Sequence, residues 1–180
     1  MVRLSEIAAP VGLLGPVDPP ERLCSSWIVV AGGGRNLAWP PARVAATLLG
    51  ATAGRPVHLL LHGDARGADQ SIDRAARQLG WAVQAVPADW QRLGRAAGPI
   101  RNRQLLRRAL LAAQVQSQPG YPASVLVVAF PGGRGTASLV QLALELQRSQ
   151  KEAAQLERAP AVAVVEITTA AAGLSSVPQR

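Results

Sequence analysis

Five short apolar runs, separated by segments of helical periodicity, are the feature that most constrains the fold of this chain. The runs are WIVVA (27–31), VHLLL (57–61), WAVQAV (81–86), SVLVVAF (124–130) and AVAVVEI (161–167). Continuous apolar runs of this length are typical of strands buried on both faces, and strands that alternate with helices form parallel sheets. We therefore predict a three-layer α/β domain over residues 26–168, with a mainly parallel sheet of five strands or slightly more.

The intervening segments predict amphipathic helices. Pro40 and Pro41 favour the start of the first helix and Gly50 its end, and Gly80 ends the second. Gly98 and Pro99 open the third. In the fourth, the apolar residues Leu139, Leu142, Ala143 and Leu146 recur at helical spacing.

The two ends of the chain lack such patterns. Residues 1–25 contain four prolines and no periodicity, which predicts an extended or disordered leader, and residues 169–180 predict a flexible tail. No run resembles a signal peptide or approaches the roughly 20 residues of a membrane span, so we expect a cytoplasmic protein without membrane contact. Cys24 is the single cysteine, which excludes a disulfide framework within the chain.

The charge points to anionic partners. The formal net charge is +8, and six arginines with one acid fall in residues 89–108, namely Arg92, Arg95, Arg101, Arg103, Arg107 and Arg108. Such a cluster favours nucleotides, nucleic acid or other phosphates, although a solvated basic helix face explains it equally well. Aromatic residues are only 3% of the chain, so there is little material for stacking single-stranded bases.

A glycine-rich turn follows the fourth strand and opens a helix. It reads Pro131-Gly132-Gly133-Arg134-Gly135-Thr136. Bare backbone lets a ligand approach closely, and the unpaired amides at a helix start favour phosphate. Thr136 can cap the helix or bind a phosphate oxygen. A tight turn without a ligand remains the alternative.

Two further glycine-rich turns follow strands one and two. The first contains Gly33 and Arg35, where Arg35 is either a phosphate ligand or a surface arginine. The second, HGDARGAD (62–69), adds His62, Gly63, Arg66, Gly67 and Asp69. Asp69 can cap its helix or accept a hydrogen bond from a ribose hydroxyl, and His62 can pack at the strand end or contact a ligand. All three turns fall at the carboxyl ends of predicted parallel strands, which is where such sheets bind ligands.

Several familiar motifs are missing. The P-loop requires a lysine after its second glycine, and Lys151 is the chain's only lysine. The dinucleotide fingerprint requires a third glycine where this chain has Leu37. Two histidines and one cysteine supply no metal-ligand set. We therefore expect neither a bound metal nor a cofactor.

Three segments together resemble a known family. They are VVAGGGR (29–35), LHGDARGADQSIDRAA (61–76) with PADWQRLGRAAGPIRNRQLL (87–106), and VVAFPGGRGTASLV (127–140). In this order they resemble the YspA-like branch of the SLOG superfamily, which includes the Lonely Guy phosphoribohydrolases and the DprA-type DNA-binding domains. The resemblance covers residues 27–146 and implies a Rossmann-like fold with a nucleotide site beside the PGGRGT turn.

In the resemblance, the residues implied for binding match the family, whereas one residue implied for catalysis does not. Lonely Guy enzymes carry P-G-G-x-G-T-x-x-E, and the glutamate assists cleavage of the N-glycosidic bond; the corresponding residue here is Leu139. The arginine of the family's R-K pair has its counterpart in Arg101, which is followed by Asn102. The Arg101 guanidinium can donate two parallel hydrogen bonds to a phosphate, and Asn102 can form hydrogen bonds with the edge of a base or sugar. Trp90 can cover a base or pack beneath it.

We therefore predict binding of a nucleotide or nucleotide-derived small molecule, as a sensor or effector, with little or no hydrolysis. The predicted ligand-binding residues are Gly33, Arg35, His62, Gly63, Arg66, Gly67, Asp69, Arg101, Asn102, Pro131, Gly132, Gly133, Arg134, Gly135 and Thr136. The first alternative is a nucleoside 5′-monophosphate phosphoribohydrolase, with Asp64 or Asp69 as a substitute acid. The second is DprA-like binding of nucleic acid through the arginine cluster. Helix pairing in Lonely Guy relatives also allows a homodimer.

Overall fold

The computed structural model describes residues 25–153 and 160–168, which form one five-stranded parallel sheet covered by helices. The strands are β1 (Ser26–Gly32), β2 (Val57–His62), β3 (Val83–Ala85), β4 (Ala123–Ala129) and β5 (Val162–Glu166). Their order is β3-β2-β1-β4-β5, and every pairing is parallel. The predicted three-layer α/β fold is confirmed. The predicted leader and tail, including Cys24, lie outside the described residues apart from Ser25.

The helices cover both faces of the sheet. They are α1 (Pro41–Thr52), α2 (Ala68–Gln78), the short α3 (Trp90–Leu93), α4 (Ala97–Gln116) and α5 (Arg134–Ala153), with a 3₁₀ turn at Gly94–Ala96 between α3 and α4. Helices α1 and α2 pack together on one face, and α4 and α5 on the other.

The strand side chains alternate between two hydrophobic cores. In β1, Ile28 and Val30 point toward α4 and α5, whereas Val29 and Ala31 point toward α1 and α2. All four are fully buried. This arrangement explains why the strands appear in the sequence as continuous apolar runs, since neither face of the sheet meets water.

Some element boundaries differ from the predictions. The strand predicted at 81–86 is shorter, Val83–Ala85, and pairs with β2 alone; flanking hydrogen bonds join the Leu60 amide to the Ala82 carbonyl and the Val86 amide to the His62 carbonyl. Helix α1 continues past Gly50 to Thr52 and ends where Ala53 and Gly54 adopt left-handed conformations. Helix α4 starts at Ala97, so that Pro99 falls in its first turn, where a missing amide hydrogen costs no helical bond.

The strand order places a crevice between β1 and β4. After β1 the chain extends the sheet through β2 and β3, and then crosses to the opposite side of β1 to form β4 and β5. The loops that follow β1 and β4 therefore start from neighbouring strands at the same edge of the sheet and lead in opposite directions. Open parallel sheets bind ligands at this kind of switch point. The turns that begin at Gly33 and at Pro131 meet here.

Candidate functional site

The glycine turns after β1 and β4 pack directly against each other. The amide of Gly34 donates to the carbonyl of Pro131 over 2.9 Å. A Cβ at Gly33 would lie 2.7 Å from the Ala68 side chain and 2.8 Å from that of Phe130, and a Cβ at Gly132 would lie 2.8 Å from the Gly34 amide nitrogen. Packing of the fold therefore requires glycine at 33 and 132, whether or not a ligand is present.

Gly133 and Gly135 differ from these two glycines. A Cβ at either would meet nothing within 4 Å, and neither backbone has a positive φ. Both line an open cleft. The fold itself has no need of glycine at these positions, which leaves room for a ligand at the start of α5.

The start of α5 offers a row of unpaired amides. Its first helical hydrogen bond joins the amide of Ala137 to the carbonyl of Gly133 over 3.0 Å. Within residues 25–153 and 160–168, no hydrogen bond is donated by the five preceding amides, from Gly132 to Thr136. Unpaired amides and the helix dipole together make such a terminus favourable for an anion. Thr136 lies in the first turn rather than at the cap, with its hydroxyl over Gly132.

A buried ion pair forms the floor of the cleft between the turns. Arg101 from α4 places Nη1 3.7 Å from Oδ2 of Asp69, in the first turn of α2, and the two side chains are 15% and 4% exposed. Oδ2 of Asp69 also accepts a hydrogen bond from the amide of Ala65 over 3.0 Å. A side chain at Gly63 would overlap the Arg101 guanidinium, which lies flat on bare backbone there.

Burial places both members of this pair under electrostatic strain. Desolvation raises the pKa of the Asp69 carboxyl above 3.8, although the Ala65 amide and Arg101 act to lower it. Desolvation also lowers the pKa of the Arg101 guanidinium, against the attraction of Asp69, and the nearby positive charge of Arg35 adds to this effect. The Nε–H of Arg101 is buried without a hydrogen-bond partner. An anion in the cleft would add a second negative partner to this buried guanidinium.

The cleft is large enough for a nucleotide. Its volume is about 760 Å³, within the roughly 300–1,000 Å³ typical of small-molecule sites. Four arginines line it against the single carboxylate of Asp69: Arg35, Arg95, Arg101 and Arg134. Arg103, Arg107 and Arg108 are exposed on α4 and do not line it. The arginine cluster seen in the sequence therefore divides between the cleft and the outer surface.

Twelve of the fifteen predicted site residues line this cleft. They are Gly33, Arg35, Gly63, Asp69, Arg101, Asn102, Pro131, Gly132, Gly133, Arg134, Gly135 and Thr136. Arg66 lines a smaller adjoining cavity, and His62 and Gly67 line neither.

His62 and Gly67 support the loop instead. Nδ1 of His62 accepts from the amide of Asp64, and Nε2 pairs with Asp73 over 3.2 Å, so both ring nitrogens are engaged behind the cleft. Gly67 has φ +79°, and a side chain there would overlap the carbonyl of Arg35. Asn102 is buried, and its Nδ2 donates to the carbonyl of Gly135 over 3.1 Å, which anchors the start of α5 to α4.

The sequence interpretation did not include Arg95 among the site residues and left Trp90 between covering a base and packing beneath it. The segment between β3 and α4 folds back over the cleft, so that Trp90 and Arg95 line it, with Trp90 48% exposed. The Arg35 guanidinium lies 5.1 Å from the centroid of the Trp90 ring. The sequence held one signal for the short helix that begins at Trp90. Asp89, directly before it, caps α3 by accepting a hydrogen bond from the amide of Arg92 over 3.0 Å.

Leu139 lies where the resemblance places a catalytic carboxylate. It is 3% exposed and belongs to the core shared by α4, α5 and the sheet, yet it also lines the cleft. A Cβ on Gly32 would lie 3.4 Å from its Cδ2 and 3.9 Å from Oδ1 of Asp69. Asp69 therefore brings a carboxylate close to this position, whereas Asp64 lines only the smaller cavity.

The comparison with protein families identifies the first half of the fold. Residues 27–93 match the family described as the YspA, cpYpsA-related SLOG family. Over these residues the chain is similar to that family. The match spans β1 to α3, including the turns at Gly33 and Gly63, and stops before Arg101 and the PGGRGT turn. No curated protein and no solved structure matches the chain.

Two further observations concern the part of the chain that the structure describes. No group of three or more histidine, cysteine, aspartate or glutamate residues there could hold a metal ion. Among the same residues, no helix has the length and apolar character needed to cross a membrane.

Proposed function

We propose that the cleft binds a nucleotide or nucleotide-derived small molecule, as a sensor or effector site, with a phosphate on the amides of Gly133 to Thr136. The observation that carries this proposal is the convergence of two unsatisfied groups on one cleft. The α5 amides have no protein acceptor in the described part of the chain, and Arg101 has a buried Nε–H without a partner. A phosphate satisfies both kinds of donor.

The remaining walls suit the other parts of a nucleotide. Asp69 lines the cleft, and its carboxylate can accept a hydrogen bond from a sugar hydroxyl. Leu37 and Leu105 supply apolar surface, and Trp90 supplies an aromatic edge. A few polar groups in a largely apolar concavity are the usual composition of a small-molecule site.

The test is calorimetric titration with 5′-AMP. Gly133→Val places a branched side chain where the phosphate would dock, and the open space around Gly133 leaves the fold intact. Gly50→Val is a matched control, since Gly50 lies on α1 outside the cleft and also has nothing within 4 Å. We expect Gly133→Val to abolish binding and Gly50→Val to keep it. Unchanged affinity in Gly133→Val would overturn the proposal. Native mass spectrometry of freshly purified protein would identify a co-purified ligand.

Hydrolysis of a nucleoside monophosphate is the second candidate, because Asp69 lies beside the position of the family's carboxylate. Its raised pKa is the property that a proton-handling carboxyl requires. Chromatographic assay of free base tests this function, and base release that Asp69→Asn abolishes would establish it. Binding of nucleic acid by the outer arginines predicts instead a steep loss of affinity with salt that Gly133→Val leaves unchanged.

A further inference from the structure

A second cavity adjoins the main cleft. Its volume is about 270 Å³, and it shares Arg35, Gly63, Ala65, Trp90 and Arg101 with the cleft. Its own walls are Asp64, Arg66, Pro87 and Ala88. The two spaces are therefore compartments of one site, and we call the smaller one the side compartment.

The side compartment has an excess of positive charge. Three guanidinium groups line it, from Arg35, Arg66 and Arg101, against the one carboxylate of Asp64. In the described part of the chain, neither Arg35 nor Arg66 forms a salt bridge, and the one aromatic partner of Arg35 is the Trp90 ring. Arg35 lies near enough to Arg101 for its charge to act against protonation of Arg101 and lower the pKa of that group. Like charges gathered around a concavity are stabilised by an anion within it.

Arg101 lies at the boundary between the compartments. The absence of a side chain at Gly63 lets its guanidinium rest on the loop after β2, where it lines both spaces. Asp69 contacts one of its nitrogens at 3.7 Å, and the buried Nε–H is unpaired. With five donors in a planar fork, one guanidinium can serve acceptors on two sides.

We propose that the side compartment holds a second anionic group of the same ligand, so that the site selects nucleotides with two phosphates over nucleoside monophosphates. This inference rests on the proposed function. One phosphate docks on the α5 amides, the other on Arg35 and Arg66, and Arg101 lies between them. A monophosphate fills the main cleft and leaves Arg66 without an anion.

The test is a calorimetric comparison of AMP, ADP and adenosine 3′,5′-bisphosphate in the wild type, Arg66→Gln and Arg103→Gln. Arg103 is an exposed arginine on α4 that lines neither compartment, and it serves as the matched control. We expect at least one two-phosphate ligand to bind about ten- to a hundred-fold more tightly than AMP, the effect of charge-assisted hydrogen bonds. Arg66→Gln should remove that gain, and Arg103→Gln should leave both the gain and the AMP affinity unchanged.

The inference and the proposed function fail differently in this experiment. If AMP binds and neither two-phosphate ligand binds more tightly, or if the gain persists in Arg66→Gln, the side compartment holds no second anion. If none of the three ligands binds the wild type, the proposed nucleotide site itself is wrong, and the inference is overturned with it.

Discussion

Gly132 and Gly133 are neighbours in the chain, but the structure predicts opposite outcomes when each is changed to alanine. A Cβ at 132 would lie 2.8 Å from the backbone nitrogen of Gly34 and would overlap the Thr136 hydroxyl. The hydroxyl can rotate away, but the Gly34 backbone is held by its 2.9 Å hydrogen bond to Pro131. Overpacking of this kind costs about 1–3 kcal/mol, so Gly132→Ala should destabilise the fold by that amount.

Gly133→Ala adds a methyl group in open space, at a backbone without positive φ. It restricts the unfolded chain and should stabilise the fold by about 0.4–1 kcal/mol. The same methyl group lies in the phosphate's approach, so Gly133→Ala should weaken AMP binding while it raises stability. Loss of affinity with a gain in stability is a combination that a merely damaged fold would not produce.

Urea denaturation measures both variants, as a shift in midpoint at constant m-value. In thermal unfolding, 1 kcal/mol corresponds to about 2–4 °C for a domain of this size. If Gly133→Ala destabilised the fold as much as Gly132→Ala, the described packing of the turn would be wrong. If it were stable and bound AMP with wild-type affinity, the phosphate would have to lie elsewhere.

Three further predictions concern the floor of the cleft. Arg101→Ala should cost about 1.5–3 kcal/mol of AMP affinity, roughly ten- to a hundred-fold by calorimetry, whereas Arg107→Ala, on the exposed face of α4, should change it little. Asp69→Asn should be more stable than the wild type at pH 7, because burial raises the pKa of the wild-type carboxyl, and the difference in urea midpoint should disappear as the pH falls to 3.8. Leu139→Glu should gain release of free base from nucleoside monophosphates, while the wild type shows none by chromatography.

The sign of the Asp69 effect follows from proton linkage. Below pH 3.8 the carboxyl is protonated in both the folded and the unfolded chain, and it contributes nothing to the pH dependence. As the pH rises from 3.8 to the raised folded pKa, the unfolded chain loses its proton while the folded protein keeps it, so the wild type loses stability that Asp69→Asn keeps. A difference that grew toward acidic pH would contradict this assignment.

The predictions for Arg101 and Leu139 can each be contradicted by one result. An Arg107→Ala variant that lost as much affinity as Arg101→Ala would move the ligand onto the outer face of α4. Wild-type turnover on the order of 1 s⁻¹, retained in Leu139→Ala, would place this protein among the enzymes and assign the chemistry to another carboxylate, with Asp69 the first to test.

The layered fold could be predicted from the sequence because local pattern and tertiary environment agree. The apolar runs are continuous because the sheet is covered on both faces, and the helical segments between them show one apolar face. Element ends were less predictable. Trp81 and Ala82 continue the apolar pattern of β3 but lie before its paired residues, and the Trp81 amide donates to the Ala76 carbonyl at the end of α2 instead.

Most residues that line the cleft could be predicted from the sequence, but their separate roles could not. All glycines in the turns look alike in the sequence, whereas the fold requires those at 33, 67 and 132 and leaves 133 and 135 open. The pairing of Asp69 with Arg101 joins residues on α2 and α4 and has no local signal. Trp90 enters the cleft for the same reason, because only the tertiary path of its segment brings it there.

The most direct test of the central claim is an NMR titration of the ¹⁵N-labelled protein with 5′-AMP. The account predicts that the largest amide shifts occur at Gly133, Arg134, Gly135 and Thr136, because these unpaired N–H groups would gain a phosphate acceptor. Amides on the exposed face of α4, around Arg107, should move little. Shifts concentrated on that face, or none at the start of α5 in a titration that reaches saturation, would contradict the account.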